Sequence, residues 1–242
     1  MKKKPPLVSI VIPTFNRFEY VLRSLESIQG QTFKGFEVIV VNDSSSQECY
    51  YKHDWSGVKI LHLSKNSKEI AGYPCAGFVR NEGVKHAEGK YIAFCDDDDV
   101  WHPQKLEIQL ASIQDSSCRI SCTNYFVSLG KFEINKKHPT YLERFNNSFR
   151  QKGIPTNLSE IPDVWDKDLV SLHNIIGTST VLLEKSLMDS VDGFGNLPNG
   201  QEDYDLWLRC LDFSSILFIK KPLAYYDTQH GSGRHWKPYW KK

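Results

Sequence analysis

The sequence lacks the features that mark several catalytic and binding classes. Its six cysteines form no C-x-x-C pair and show no zinc-ligand spacing. A disulfide scaffold and a zinc centre are set aside, and Cys95, Cys122 and Cys210 read as reduced, packed thiols. Net charge is only +1, so no general attraction to nucleic acid or acidic lipid follows. No apolar run approaches the length of a membrane span. The basic start Met1-Lys2-Lys3-Lys4 is followed by an apolar run that Ser9 and Pro13 break, too short for a signal-peptide core. The expectation is a cytoplasmic protein, with contact at the membrane surface left open. There is no Gly-rich phosphate loop of the Walker or dinucleotide type, no G-x-S-x-G elbow, no internal repeat and no low-complexity tract.

What is present is a chain of 242 residues, long enough for one large domain with a sizeable core. Its first half alternates strand and helix patterns. Leu7 to Ile12, Val38 to Val41, Val58 to Leu63 and Tyr91 to Cys95 are short apolar runs that read as strands. Between the first two, Phe18, Val21, Leu22, Leu25 and Ile28 recur at helical spacing. Asn16 and Glu19 are placed as a capping box, and Gly30 closes the helix. Further helices are expected from Ala76 to Ala87 and from Pro103 to Ile113. Alternation of this kind predicts an α/β fold with a largely parallel sheet.

The second half changes character. Residues 118 to 134 read as strands that pair antiparallel, and 136 to 168 as an irregular insertion or lid over the site. A strand over Thr178 to Leu183, a helix over Glu184 to Val191, a turn at Asp192-Gly193 and a helix over Glu202 to Leu211 follow.

Four consecutive aspartates, Asp96 to Asp99, stand directly after the fourth strand. Ligands of open α/β sheets bind outside the carboxyl ends of the strands. Adjacent carboxylates repel, and a hard divalent cation such as Mg²⁺ or Mn²⁺ relieves that repulsion. The plainer alternative is a helix cap or a turn.

Asp43 ends the second strand, where a carboxylate can face ribose hydroxyls or a base. A base edge must supply an N–H, as uracil, thymine and guanine do from ring nitrogens, so UDP, dTDP or GDP is favoured over CDP or ADP. The competing reading is an Asx turn or N-cap with Ser44 to Ser46. Phe15 could pack on a base and Arg17 could reach a phosphate, or they are core and surface. Arg80 stands on the helix leading to the aspartates. Glu202 and Asp203 open a helix, where the macrodipole favours acids and where a carboxylate could also act as a general base. His230, Arg234 and His235 form a late basic group.

Taken together, five segments resemble glycosyltransferase family 2, in order and rough spacing. They are Val8-Ser9-Ile10-Val11-Ile12-Pro13-Thr14-Phe15-Asn16-Arg17, Glu37-Val38-Ile39-Val40-Val41-Asn42-Asp43-Ser44, Arg80-Asn81-Glu82-Gly83, Tyr91-Ile92-Ala93-Phe94-Cys95-Asp96-Asp97-Asp98-Asp99 and Gly200-Gln201-Glu202-Asp203-Tyr204-Asp205-Leu206-Trp207-Leu208-Arg209. The resemblance implies a GT-A fold over residues 1–242, with a nucleotide-sugar-binding half at about 1–115 and an acceptor-binding half at about 116–242. It implies a metal-dependent, inverting transfer from a nucleoside-diphosphate sugar to a glycan or lipid-linked glycan. Pro13, Phe15, Arg17, Asp43, Arg80, Asp96 and Asp97 would contact the nucleotide-sugar. Asp96-Asp97-Asp98 would be the DxD motif, with Asp98, Asp96 and His230 toward Mn²⁺ or Mg²⁺. Asp203 would be the general base, with Glu202 supporting acceptor binding. The fourfold Asp leaves the register of the motif open by one residue. A nucleotidyltransferase and a non-catalytic glycan-binding module are the alternatives.

Overall fold

The computed structural model of the chain describes residues 5–128, 137–155, 157–198 and 200–227. In chain order the strands are β1 (Val8–Thr14), β2 (Phe36–Asn42), β3 (Lys59–His62), β4 (Tyr91–Phe94), β5 (Val100–Trp101), β6 (Ile120–Ser128), β7 (Val164–Trp165), β8 (Leu182–Glu184) and β9 (Ile216–Asp227). Among the described residues they form one sheet in the order β3-β2-β1-β4-β8-β6-β9-β5, with β7 also paired to β9. The pairs β1/β2, β1/β4, β2/β3 and β6/β9 are parallel; β8 runs antiparallel to both β4 and β6. The expected α/β class with a mixed, mainly parallel sheet is observed.

The reason the first strands read as unbroken apolar runs is that both faces are covered. Ile10, Ile12, Val38, Val40 and Ala93 pack into one core, while Val11, Ile39, Val41, Ile92 and Phe94 pack into another on the opposite face. The helix Phe18–Gln29 lies on the first face through Phe18, Val21, Leu25 and Ile28, as its spacing predicts. The helix Ala76–Lys85 lies on the other, so close that a Cβ at Gly83 would stand 2.5 Å from Val11 Cγ1. Only glycine permits that approach.

Several local expectations are corrected. Asn16 does not cap the first helix. It adopts a left-handed φ of 53°, and its Oδ1 accepts from Ser46 N at 2.8 Å. The helix mouth is satisfied instead by the Gln47 carboxamide, which accepts from Phe18 N, and by the Tyr50 hydroxyl, which accepts from Arg17 N. Of the residues 118 to 134 expected as antiparallel strands, 129 to 134 lie outside the described residues. Among the described residues the long ladder of β6 is parallel to β9, with a register shift at Thr123/Asn124, and Phe126 makes an antiparallel bridge to Thr140. Residues 178–180 are a 3-10 turn before β8 rather than strand. The stretch expected to be irregular carries the short helices Tyr141–Arg144 and Asn146–Gln151, and it buries Leu142, Phe149, Ile154, Ile161 and Trp165 in the second core. Its apolar residues are too few and too unevenly spaced to show a period, yet all five join that core, Trp165 stacking on Phe218 of β9 at 4.2 Å.

Candidate functional site

The parallel register brings the ends of β1, β2 and β4 to one edge of the sheet. Thr14 pairs with Asn42, and Asp43 N donates to Thr14 O at 2.9 Å. Pro13 and Phe15 flank this point, and the Phe15 ring is 47% exposed, open to a flat ligand. Asp43 is buried. Its Oδ1 accepts from Ser67 N at 2.6 Å, and its Oδ2 accepts from Ser67 Oγ at 2.7 Å and Asn66 Nδ2 at 3.1 Å. Burial pushes its pKa up while the Ser67 bonds oppose that shift. A carboxylate has about four acceptor positions, so one remains for a ligand N–H. The side-chain bond that closes this loop belongs to Asn42, whose Oδ1 accepts from Ser45 N three residues on.

The four aspartates alternate. Asp97 and Asp99 are buried, whereas the side chains of Asp96 and Asp98 keep 28% and 15% of their surface. The turn is held by Ser24 on the first helix, whose hydroxyl meets the carbonyl oxygens of Asp97 and Asp99 at 2.8 and 2.6 Å. Arg17 donates through one nitrogen to Asp97 Oδ1 at 3.1 Å and Asp98 Oδ2 at 2.7 Å. Arg23 reaches Asp98 O and Asp227 Oδ2, while Asp227 N donates to Asp99 Oδ1. Burial and the neighbouring Asp98 push the Asp97 carboxyl up to about 7, against Arg17 and Thr14, which hold it down. The same two causes, with Asp96, raise Asp99 well above the carboxylate range. The loop concentrates more negative charge than its burial tolerates.

Arg80 joins this loop to the second candidate motif. Buried on the Ala76–Lys85 helix, it donates to Asp96 Oδ1 at 2.6 Å and to Glu202 Oε1 at 3.2 Å. Burial opposes its charge, but Asp96 and Glu202 outweigh that and raise its pKa. The helix Glu202–Cys210 is brought this near because residue 77 is glycine: a Cβ there would lie 2.8 Å from Glu202 Cγ. Asp203, one residue on, accepts from Tyr204 N at 2.6 Å, Asn174 Nδ2 at 3.3 Å and Thr178 Oγ1 at 3.1 Å. Burial first, then the charge of Glu202, raises it to about 6; Arg80 acts in the opposite sense. A carboxylate at about 6 is both ionised near neutral pH and basic enough to take a proton.

The structure therefore gathers Asp96, Asp97, Asp98, Arg17, Arg80, Glu202 and Asp203 into one cluster, with Pro13, Phe15 and Asp43 on the adjoining strand ends. His230 lies outside the described residues, as do Arg234 and His235. Among the described residues no three His, Cys, Asp or Glu side chains gather as a ready cation cage. The donor chemistry nonetheless suits a hard cation: Asp96 and Asp98 are the two aspartates of the loop left partly open, and Mg²⁺ sites commonly use one or two carboxylates with substrate phosphates. Arg17 and Arg80 hold one oxygen of each. Thr178, Asn174, Ser24, Tyr50 and Asp227 were not singled out from the sequence. Ser24 carried a signal, as a polar residue inside the apolar stripe of Val21, Leu25 and Ile28.

Comparison with known proteins adds to this geometry. The model of the family described as Glycosyl transferase family 2 matches residues 9–167. An uncharacterized glycosyltransferase of Rickettsia prowazekii is 30% identical over 214 residues, covering 88% of this chain and 61% of its own length. The chain thus spans about three fifths of that relative. The UDP-Glc:alpha-D-GlcNAc-diphosphoundecaprenol beta-1,3-glucosyltransferase of Escherichia coli is 27% identical, covering 88% of this chain and 73% of its own. The crystal structure of S. aureus TarS 1-349 in complex with UDP-GlcNAc superposes with a TM-score of 0.68 at 20% identity, over 93% of this chain and 59% of that one. The likeness shows the GT-A-like α/β fold.

Proposed function

The chain belongs to glycosyltransferase family 2, and from that premise we propose that it moves a sugar from a nucleoside-diphosphate sugar, a UDP-sugar first, to an acceptor hydroxyl on a glycan or lipid-linked glycan. The observation that carries this reading is the Arg80 bridge. It ties the partly open Asp96 to Glu202, the neighbour of the raised carboxylate Asp203, and so joins that carboxylate's helix to the acidic loop at the strand ends. Donor-bearing relatives support the choice of UDP: the E. coli protein is named for UDP-Glc, and S. aureus TarS carries UDP-GlcNAc.

The residues divide the work as follows. Phe15 lies against the base, and Asp43 uses its remaining acceptor position on a ring N–H. Asp98, with Asp96 beside it, would hold Mn²⁺ or Mg²⁺, which when bound offsets the charge developing on the leaving diphosphate. Arg17, already at the acidic loop, is near enough to follow the diphosphate. Asp203 takes the proton of the acceptor hydroxyl as that oxygen attacks the anomeric carbon and the carbon–phosphate-oxygen bond breaks. One displacement inverts the anomeric centre, so an α-linked donor gives a β-linked product. The half at about 1–115 would hold the donor and the half at about 116–242 the acceptor.

A calorimetric panel of UDP, GDP, CDP and dTDP, each with Mn²⁺ and with EDTA, tests the donor side. The reading expects metal-dependent binding of UDP that Asp98→Ala removes. Metal-independent binding, or binding unchanged in the variant, counts against it.

A further inference from the structure

Beyond the base, a ladder of aromatic rings leads away from the site. Thr178 donates to Asp203, and its neighbour Gly177 lies so close to Tyr125 that an added Cβ would meet the ring at 3.2 Å. Tyr125 stacks on Tyr141 with centroids 4.7 Å apart, and Tyr141 is close enough to Asp203 to feel its charge. The Tyr141 ring in turn meets Phe145 at 4.8 Å. Phe145 is 39% exposed and stands in an open groove of about 530 Å³, with Arg144, Asn146, Asn147 and Arg150 among its walls.

The groove's charge is distinctive. Arg17, Arg23, Arg80, Arg119 and Arg209 each pair with a carboxylate. The exposed guanidinium of Arg144 makes no ion pair or hydrogen bond among the described residues. Glu143 also borders the groove, but its carboxylate is turned to Thr140, accepting from the backbone N at 2.7 Å and from Oγ1 at 3.0 Å. The wall is thus an aromatic face, carboxamides and an unpaired cation, one ring contact from Tyr141. Flat aromatic faces suit the C–H faces of sugar rings, and a guanidinium suits a carboxylate or phosphate.

We propose that this groove is an acceptor subsite for an anionic saccharide: a sugar of the acceptor lies on Phe145 and its negative group meets Arg144, while the reacting hydroxyl reaches Asp203 past Tyr141. The proposal rests on the glycosyltransferase reading for the role of Asp203, but its binding test does not need turnover. Calorimetry would use three probes: digalacturonate, glucose 1-phosphate and neutral galactobiose, against wild type, Arg144→Gln and Phe145→Ala. Expected is about tenfold tighter binding of a charged probe than of galactobiose, lost in Arg144→Gln, with all probes weakened in Phe145→Ala. Which charged probe is preferred distinguishes a uronate from a phosphorylated acceptor. Equal affinity for charged and neutral probes, a preference that survives Arg144→Gln, or no binding at millimolar concentration overturns the proposal. Metal-dependent hydrolysis of UDP-glucose by the wild-type sample, run in parallel, separates the two ideas. If it is absent while the Arg144-dependent preference is present, the groove stands and the reaction reading falls.

Discussion

Replacing Arg80 with Met removes a positive charge from between three carboxylates while keeping much of the side chain's volume. Arg80 is buried and bonds Asp96 at 2.6 Å and Glu202 at 3.2 Å. Removing one partner of a buried pair costs about 3–5 kcal/mol, because the other partner stays desolvated and unpaired. Here Asp96 is 28% exposed and regains water, whereas Glu202 at 12% mostly does not. The lower end, about 3 kcal/mol, is therefore expected. In a chain of this size that is a fall in Tm of roughly 6–12 °C. Urea unfolding gives the free energy directly, and Arg80→Lys, which keeps the charge without the fork, should recover part of it. The same change lifts the hold of Arg80 on Asp203, whose carboxyl then rises above about 6. The acid limb of the pH–rate profile should move upward with it. A loss below about 1 kcal/mol, the range of an exposed pair, would refute the claim that this bridge organises the site.

Other perturbations have separable outcomes. Ser24→Ala leaves the buried carbonyls of Asp97 and Asp99 without their shared donor, and should cost about 1–3 kcal/mol by chemical unfolding. Gly77→Ala drives a methyl into Glu202 and Phe194, and should cost about 1–3 kcal/mol in the same assay. Phe15→Ala should leave unfolding unchanged but weaken UDP binding in a calorimetric titration by about 1 kcal/mol, since the ring is exposed at the strand ends. Lys105 is buried over the Trp101 ring, and burial lowers its pKa to about 7. Between pH 7 and the ordinary lysine range the unfolded chain therefore binds a proton that the folded chain does not. Stability should rise with pH across that window, by up to about 1.4 kcal/mol per unit from this group, and Lys105→Met should flatten that slope.

The parallel half of the fold was legible because strands buried on both faces must be apolar throughout. Val8 to Ile12, Val38 to Val41 and Tyr91 to Cys95 have no other use for such runs. The placement of the acidic loop and of the Glu202-Asp203 pair was legible, since the carboxylates stand at a strand end and a helix start. What was hidden is long-range pairing. Nothing local tells that β6 runs parallel to β9, nor that the short β8 is inserted between β4 and β6. Arg17 and Arg80 could be placed near a nucleotide, but their carboxylate partners lie 80 and 16 residues away on other elements. Asn16 failed as a cap because a left-handed backbone turns its side chain to Ser46, a choice made by the neighbouring loop. In the 137–168 stretch burial is achieved residue by residue, so no period appears.

In the proposed reaction Asp203 removes the acceptor proton. That role is tested most directly by comparing wild type with Asp203→Asn in transfer of sugar from UDP-glucose, with UDP binding measured on the same samples. The variant should bind UDP and Mn²⁺ as wild type does and lose transfer by at least about a hundredfold, the lower range for a general base. Transfer within a few fold of wild type, with binding intact, would contradict it.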